Sequence, residues 1–376
     1  MDSGTNDGDQ MSQTPKFQRT VGLIADPGIA RTLSNRVSKR LEIKLNKGSG
    51  SHREWQVNTD TYTLPLGENG RVALNDKVPE LRRKHGWDFI IYLTDVPHYV
   101  QERPVRSVIS PQDASAVLSV PTMGFARISV LAKHLAELVE ELATGQEPVR
   151  PGSQLAKAIS IHGSLADGDQ SQNRVSSIEG LRGRLLLIAG MVRSNRPWKL
   201  VPRLTSAMAG AIATGAFGVF YTSIWSMADY LSNQRLALIS VSSILILTSW
   251  LLLHNRLWES PKGTRRRERL VIYNAATVLT VGFAATAMYL LMFLALLGAS
   301  LIVIDQEYLA YQLRHGVAFA DYVNLAWLAS SLGTMGGAIG SSFDEVREVQ
   351  RATFSQREYE RRNMEFSISA PGDEPS

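Results

Sequence analysis

Leu270–Ile304 reads LVIYNAATVLTVGFAATAMYLLMFLALLGASLIVI, thirty-five consecutive residues without Asp, Glu, Lys, Arg or His. A bilayer asks for such a run: about 20 apolar residues, rising about 1.5 Å each, cross its hydrocarbon core. As one helix the run would be about 52 Å long, more than one span requires and short for a helical hairpin. Three more uncharged stretches surround it: Leu204–Met227, Leu236–Leu253 and Tyr322–Phe343. Each has the length of a single span.

Loop charge decides how the long run is counted. Arg193, Arg196, Lys199 and Arg203 precede the first stretch, and the loop after it holds only Asp229 and Arg235. The next loop carries Arg256, Lys262, Arg265, Arg266, Arg267 and Arg269. Residues 305–321 set Arg314 against Asp305, Glu307 and Asp321, and the segment after the last stretch is again rich in arginine. Positive loops stay in the cytoplasm. The alternation predicts four spans, 204–227, 236–253, 274–304 and 322–343, in the cell (cytoplasmic) membrane, with both termini cytoplasmic. The third helix then projects its first turns into the cytoplasm. Cysteines placed at Ser232 and Gln306 should label from outside, and those at Thr264 and Ser355 should not.

Composition fits that division. The chain has 376 residues, 40 Lys and Arg against 35 Asp and Glu, and no cysteine. Disulfide frameworks, Cys-ligated metal sites and cysteine nucleophiles are excluded. None of the four stretches holds Asp, Glu, Lys, Arg or His, which argues against an ion-coupled carrier. Small residues recur at helical spacing: Gly333, Gly336, Gly337 and Gly340 in the last span, Ala207, Ala211 and Gly215 in the first. Such faces let helices approach closely. Two readings stay open, packing within one bundle and homo-oligomerisation.

Residues 175–203 read as an amphipathic interfacial helix followed by a basic juxtamembrane segment. Ser176 and Glu179 have capping-box spacing. Ile178, Leu181, Leu185, Ile188 and Val192 follow at helical spacing among Arg182, Arg184 and Arg193, with Arg196, Trp198, Lys199 and Arg203 behind them. Anionic lipid headgroups are the partner this pattern fits, not nucleic acid. Residues 344–366 are expected as a charged cytoplasmic helix, a solvated extension of the last span. Residues 1–18 and 367–376 read as disordered tails, and 146–174 as a linker.

Residues 19–145 carry the signals of a cytoplasmic α/β domain. Val21–Asp26 (VGLIAD) ends in Asp-Pro-Gly, a strand and its turn. Ile29–Leu45 has helical periodicity. Trp55–Leu64 alternates as a strand, Val78–His85 is a short helix, and Trp87–Thr94 (WDFIIYLT) is apolar enough to be buried on both faces. Pro104–Ser110 and Ala114–Val120 are two further strands, and Arg127–Ala143 a helix. The order predicts a mostly parallel sheet with an antiparallel edge. Ligands of such sheets sit beyond the C-terminal strand ends, which singles out Asp26, Asp95 and His98, and behind them Thr122. Turn chemistry alone also explains Asp-Pro-Gly and Asp-Val-Pro. No Gly-rich phosphate loop, GxSxG or HExxH is present, so no catalytic residue, cofactor or metal is expected. His134 and Glu137 read as a surface stripe on the last helix.

Several segments together carry a resemblance: GLIADPG, WDFIIYLTDVP, SVPTMG, GMVRSNRPWKLVP, VIYNAATVLTV and YVNLAWLASSLGTMGGAIGSSF. They resemble an uncharacterised family of actinobacterial membrane proteins with a cytoplasmic α/β domain and four spans. The strand order of residues 21–143 is also weakly similar to the core of zincin metalloproteases such as the archaemetzincins. Their metal helix carries HExxHxxGxxH, whereas KHLAELVEEL places Leu135 and Leu138 where the Glu and second His would stand. That resemblance implies a domain without the general base and without a full ligand set. Two functions follow as expectations. One is a non-enzymatic membrane sensor or scaffold whose α/β domain binds a ligand or an unknown cytoplasmic protein. The alternative is a membrane-anchored enzyme or transport component using the Asp26/Asp95/His98 region or the helix bundle.

Overall fold

β1 (Phe17–Ala25) is the strand around which the first of two units is built. The computed structural model describes residues 17–48, 53–65, 72–100, 103–145, 174–177, 180–259 and 267–369. The expected tails lie almost wholly outside these residues, as do 146–173 of the expected linker. The first unit comprises residues 1–94, 105–119 and 126–177, and the second 95–104, 120–125 and 178–376.

In the first unit β1 leads through Asp-Pro-Gly into α1 (Ile29–Gly48). Leu33, Val37, Leu41 and Leu45 are buried along one stripe of α1, at the spacing an amphipathic helix requires. β2 (Arg53–Thr61) and β3 (Phe89–Thr94) run parallel to β1 on either side of it. A short strand, β4 (His98–Val100), belongs to the second unit. β5 (Arg103–Ser110) and β6 (Ser115–Ser119) then return, β6 parallel to β3 and β5 antiparallel to β6. The sheet is therefore mixed, with order β2-β1-β3-β6-β5. β3 is buried at every position. One face carries Ile24, Ile90, Tyr92 and Val117 under Val78 and Leu81 of α2 (Val78–His85) and under Leu64, Leu74 and Trp87. α1 packs against the sheet and against α3 (Ile128–Gly145). Gly22 is required where Trp87 crosses β1: a Cβ there would fall 2.0 Å from the indole.

One expectation is corrected here. Arg174–Ser177 is a strand, β7, antiparallel to β5, not the end of a linker or the start of an interfacial helix. Ser176 pairs with Ser107 in that ladder and caps no helix. Four residues that follow a long polar stretch show no period of their own; their partner strand, some 70 residues earlier, makes them a strand.

The second unit is helical. α4 spans Gly180–Asn195, α5 Thr205–Phe220, α6 Thr222–Tyr230 and α7 Asn233–His254. α8 spans Arg267–Val303, α9 Gln306–Leu313, α10 Phe319–Gly340, α11 Val346–Thr353 and α12 Gln356–Ser369. Among the described residues two helices are long and apolar enough to cross a membrane, α7, with mean hydropathy 2.3, and α8 from Glu268 to Val303, with 2.2, and a third candidate is the pair α5 and α6 if it crosses as one span. The expectation of an unbroken helix over 204–227 is corrected. α5 and α6 meet at 83°. Tyr221 at the break is extended (φ −101°, ψ 113°), and the Trp225 indole donates to the Gly218 carbonyl at 3.1 Å. That bond satisfies a carbonyl the broken ladder would leave unpaired, so an uncharged run can bend without a Pro.

α5 and α10 approach through their small residues. A Cβ on Gly333 would lie 2.8 Å from the Ala211 carbonyl oxygen and 3.2 Å from the Gly215 Cα. One on Gly337 would lie 3.0 Å from the Ala207 carbonyl oxygen, and one on Gly340 2.5 Å from that of Ser206. One on Gly336 would meet the Thr214 hydroxyl at 2.0 Å. These faces are thus occupied within the chain. Asp344 closes the end of the pair, its carboxylate accepting the Ser206 and Ala207 N–H groups at 2.9 and 3.2 Å at the start of α5. Deeper in, Ser240, Tyr289, Ser331 and Trp327 form a hydroxyl–indole network joining α7, α8 and α10.

Candidate functional site: a buried arginine and tyrosine cluster

The three residues singled out at strand ends are all buried. Asp26 is fully buried in the first unit, and its Oδ1 accepts the Tyr92 hydroxyl at 2.5 Å. The same phenol oxygen accepts the Leu64 N–H at 3.1 Å, and the Asp26 N–H donates to the Leu93 carbonyl at 3.0 Å. Asp26 therefore ties the end of β1 to β3 and to the segment that covers them. Asp95 and His98 belong to the second unit, where both are buried, as is Thr122. On α3, His134 Nδ1 lies 3.2 Å from a Glu137 oxygen, and burial, with Arg106 adding to it, lowers the imidazole pKa.

The basic segment also divides. Arg182, Arg184, Lys199 and Arg203 are exposed, and so are Leu181, Leu185 and Trp198. Arg193 and Arg196 are half-buried, and Arg193 donates to the Gly124 carbonyl at 3.0 Å. Leu187 and Met191 turn inward instead, packing with Tyr99, Ile272, Tyr273 and Ala276, and Gly190 is buried beside them. Gly190 makes this possible: a Cβ there would lie 1.8 Å from the Pro121 carbonyl oxygen.

The densest chemistry lies in the C-terminal segment, which corrects the expectation of a solvated helix over 344–366. α11 and α12 are separated by Phe354 and Ser355, and Arg357, Glu358, Arg361 and Arg362 of α12 are all buried. Asn195 holds the junction, accepting the Ser355 N–H at 3.1 Å and donating to Thr280 at 3.1 Å. Opposite lies the strap after α7. Asn274 clamps the backbone of Glu259 with two bonds of 2.9 Å, and the Leu257 carbonyl accepts Arg362 at 3.0 Å. The Glu259 carboxylate takes Arg361 at 3.2 Å and Arg362 at 3.3 Å. Glu358 takes the same two guanidiniums at 2.5 and 3.3 Å, and Arg357 pairs with Glu360 at 2.9 Å. Burial alone would push the Glu358 carboxyl up, but Arg361, then Arg362, hold it below its ordinary value. Burial likewise opposes the charge on Arg361; Glu358 and Tyr273 outweigh it and keep that guanidinium protonated.

Arg269, in the first turns of α8, is different. Its guanidinium lies over two rings, 4.6 Å from the Tyr99 centroid and 5.6 Å from that of Tyr273. Arg361 lies over Tyr273 as well, at 4.4 Å. Arg269 is 8 % exposed, its Nε–H has no acceptor, and no carboxylate among the described residues lies within ion-pair distance. The groups that face it are two phenols and a like charge. A charged run such as 344–366 reads as solvated, so the sequence does not announce this cluster. The Arg269–Tyr273 spacing of one helical turn and the dense REYERR run at 357–362 were its only signals.

Comparison with known protein families, with curated proteins and with solved structures finds no match to this chain.

Proposed function

We propose that the chain is an integral protein of the cytoplasmic membrane that acts as a sensor or scaffold, not as an enzyme, and that Arg269 receives the phosphate of an anionic lipid headgroup. The observation that carries this is a buried guanidinium with no carboxylate beside it. Burying a charge costs several kcal/mol unless an anion compensates it, and cation–π contact with tyrosine returns only about 0.5–2 kcal/mol. Arg361 adds repulsion. A phosphate offers two oxygens that a planar guanidinium can bind side by side, and the start of α8 adds the positive end of a helix dipole. The exposed Arg182, Arg184, Lys199, Arg203, Leu181, Leu185 and Trp198 suit the same membrane surface. The alternative, an enzyme or transport component working through Asp26, Asp95 and His98, needs those groups to meet a substrate. All three are buried, and Asp26 is bonded to Tyr92.

The full chain in nanodiscs tests the lipid reading. Phosphatidylglycerol, compared with phosphatidylcholine alone, should raise the melting temperature of the native protein more than that of Arg269→Gln, since a ligand of the folded state stabilises it by mass action. Inorganic phosphate added to phosphatidylcholine discs separates a soluble phosphate from a headgroup. Equal phosphatidylglycerol shifts in both proteins would refute the assignment.

For topology we propose four passes, formed by the bent α5–α6 pair, α7, α8 and α10, with both termini in the cytoplasm. Loop charge supports this. The count of passes turns on the bent pair. α5 alone is about 24 Å long, less than a hydrocarbon core of about 30 Å, and a re-entrant α5–α6 would leave both its ends on one side. Ser232 is exposed and its cysteine variant decides the matter: labelling from outside supports a pass, and labelling only after permeabilisation refutes it. Ser355 is buried, so the cytoplasmic control belongs at the exposed Gln356.

A further inference from the structure

At the other polar loops of the helical unit, three potential ligands converge from two distant segments. Asp229 stands near the C-terminal end of α6, and His315 and Asp321 flank the start of α10. His315 Nε2 lies 3.1 Å from Asp229 Oδ1. The ligand atoms of all three residues lie within 4.8 Å of one another.

The imidazole is oriented by a group outside the trio. Its Nδ1 lies 3.0 Å from the Gly316 carbonyl oxygen. A carbonyl only accepts, so Nδ1 carries the proton and Nε2 is the nitrogen turned to the carboxylates. Metal-bound histidines use this arrangement, in which the far N–H donates to a carbonyl and fixes the tautomer. Asp321 also keeps a free oxygen: its Oδ2 accepts the Ala318 N–H at 2.7 Å, closing the N-terminus of α10, and Oδ1 is left over. Taking up a ligand there would not uncap the helix.

We propose that Asp229, His315 and Asp321 form a binding site for one divalent transition-metal cation of the zinc class. One imidazole nitrogen and two carboxylate oxygens are a borderline donor set that suits Zn²⁺, Co²⁺ or Mn²⁺ over the purely oxygen-loving Mg²⁺. Three protein ligands leave a fourth position for water, as in open zinc sites. Metal–ligand bonds of about 2.0–2.1 Å in tetrahedral geometry put ligand atoms about 3.3 Å apart. The His315–Asp229 pair already stands near that separation, at 3.1 Å, and a ligand oxygen of Asp321 lies within 4.8 Å of both. Any proton on Nε2 is released to solvent when the cation binds there.

The test uses the full chain, purified without a polyhistidine tag in detergent micelles and stripped with chelator. Zn²⁺ titrated by calorimetry should bind at one equivalent. His315→Ala and Asp229→Asn should each weaken binding at least about tenfold, the loss that even outer-shell changes produce. Co²⁺ should give a visible d–d band in the native protein that Zn²⁺ abolishes and His315→Ala lacks. If either variant is misfolded by circular dichroism, the Co²⁺ band of the native protein and its displacement by Zn²⁺ decide alone. No Co²⁺ band, or Zn²⁺ binding of equal strength in native and variant proteins, would overturn the site and leave His315 and Asp229 as a simple ion pair.

Discussion

Glycine to alanine inside a helix ordinarily stabilises by about 1 kcal/mol, because alanine loses less backbone entropy. Gly190→Ala should do the opposite. The added Cβ would lie 1.8, 2.6 and 2.7 Å from the O, C and Cα atoms of Pro121. All three are backbone atoms, so no rotamer relieves the contact, and α4 has to retreat by about 1.5 Å to restore ordinary van der Waals distance. Overpacking typically costs about 1–3 kcal/mol, and a clash wholly against backbone belongs at the top of that range. With the propensity gain set against it, the net loss is about 2 kcal/mol. For a unit of this size that is a fall of about 4–8 °C in melting temperature. Gly298→Ala is the control. It makes the same change in α8, where a Cβ meets nothing within 4 Å, and it should raise the melting temperature or leave it alone. The assay is a thermal melt of both variants and the native protein in one detergent. If Gly190→Ala melts with the native protein, the close packing of α4 on Pro121 is refuted. The position of Leu187 and Met191 beside Tyr99 and Tyr273 then loses its support.

Three further outcomes are expected. Tyr92→Phe leaves fully buried Asp26 without its phenol donor, and should cost about 1–3 kcal/mol in denaturant unfolding; no change would mean the bond contributes nothing net. Glu358 binds its proton less tightly folded than unfolded, so its contribution is complete above the ordinary glutamate value of 4.5 and is lost as pH falls through the lowered folded value; acid melts of the native protein should show a loss below pH 4.5 that Glu358→Gln flattens, and parallel curves would refute the burial of that pair. Gly340→Val places side-chain atoms against the Ser206 carbonyl, 2.5 Å from the Cβ position, and should destabilise by about 1–3 kcal/mol; a neutral result would separate α5 from α10.

Several elements read from periodicity are present in the structure. Leu33, Val37, Leu41 and Leu45 announce α1, and FIIYLT announces a strand buried on both faces, because each pattern is a local consequence of what the element touches. Where partners are distant, local pattern has no force. β7 is four residues whose strand character comes from β5. The bend at Tyr221 depends on Trp225 reaching Gly218, which composition does not display. The candidate residues fared by the same logic. Strand-end position singles out Asp26, but a carboxylate there can meet a ligand or a phenol, and the phenol it meets, Tyr92, stands on the neighbouring strand.

The C-terminal segment shows why charge misleads most. Arginine and glutamate in a run are read as solvated because an isolated buried charge is so costly. The cost disappears only when partners arrive, and here they come from roughly a hundred residues away: Glu259 and the Leu257 carbonyl for Arg361 and Arg362. A sequence cannot reveal that pairing, because REYERR looks the same with or without Glu259. Once the pairing is known, its incompleteness becomes informative. Glu259 and Glu358 neutralise Arg361 and Arg362, and Glu360 neutralises Arg357. Arg269 remains with tyrosine faces and a like charge. The fold compensates three buried guanidiniums with carboxylates and leaves the fourth to phenols, which is the observation the proposed lipid-phosphate site rests on. Arg269→Gln should therefore cost the protein little where no anion is supplied, and should abolish its extra stabilisation by phosphatidylglycerol. A large loss of stability without any anion, with the lipid response intact, would make Arg269 a packing residue and nothing more.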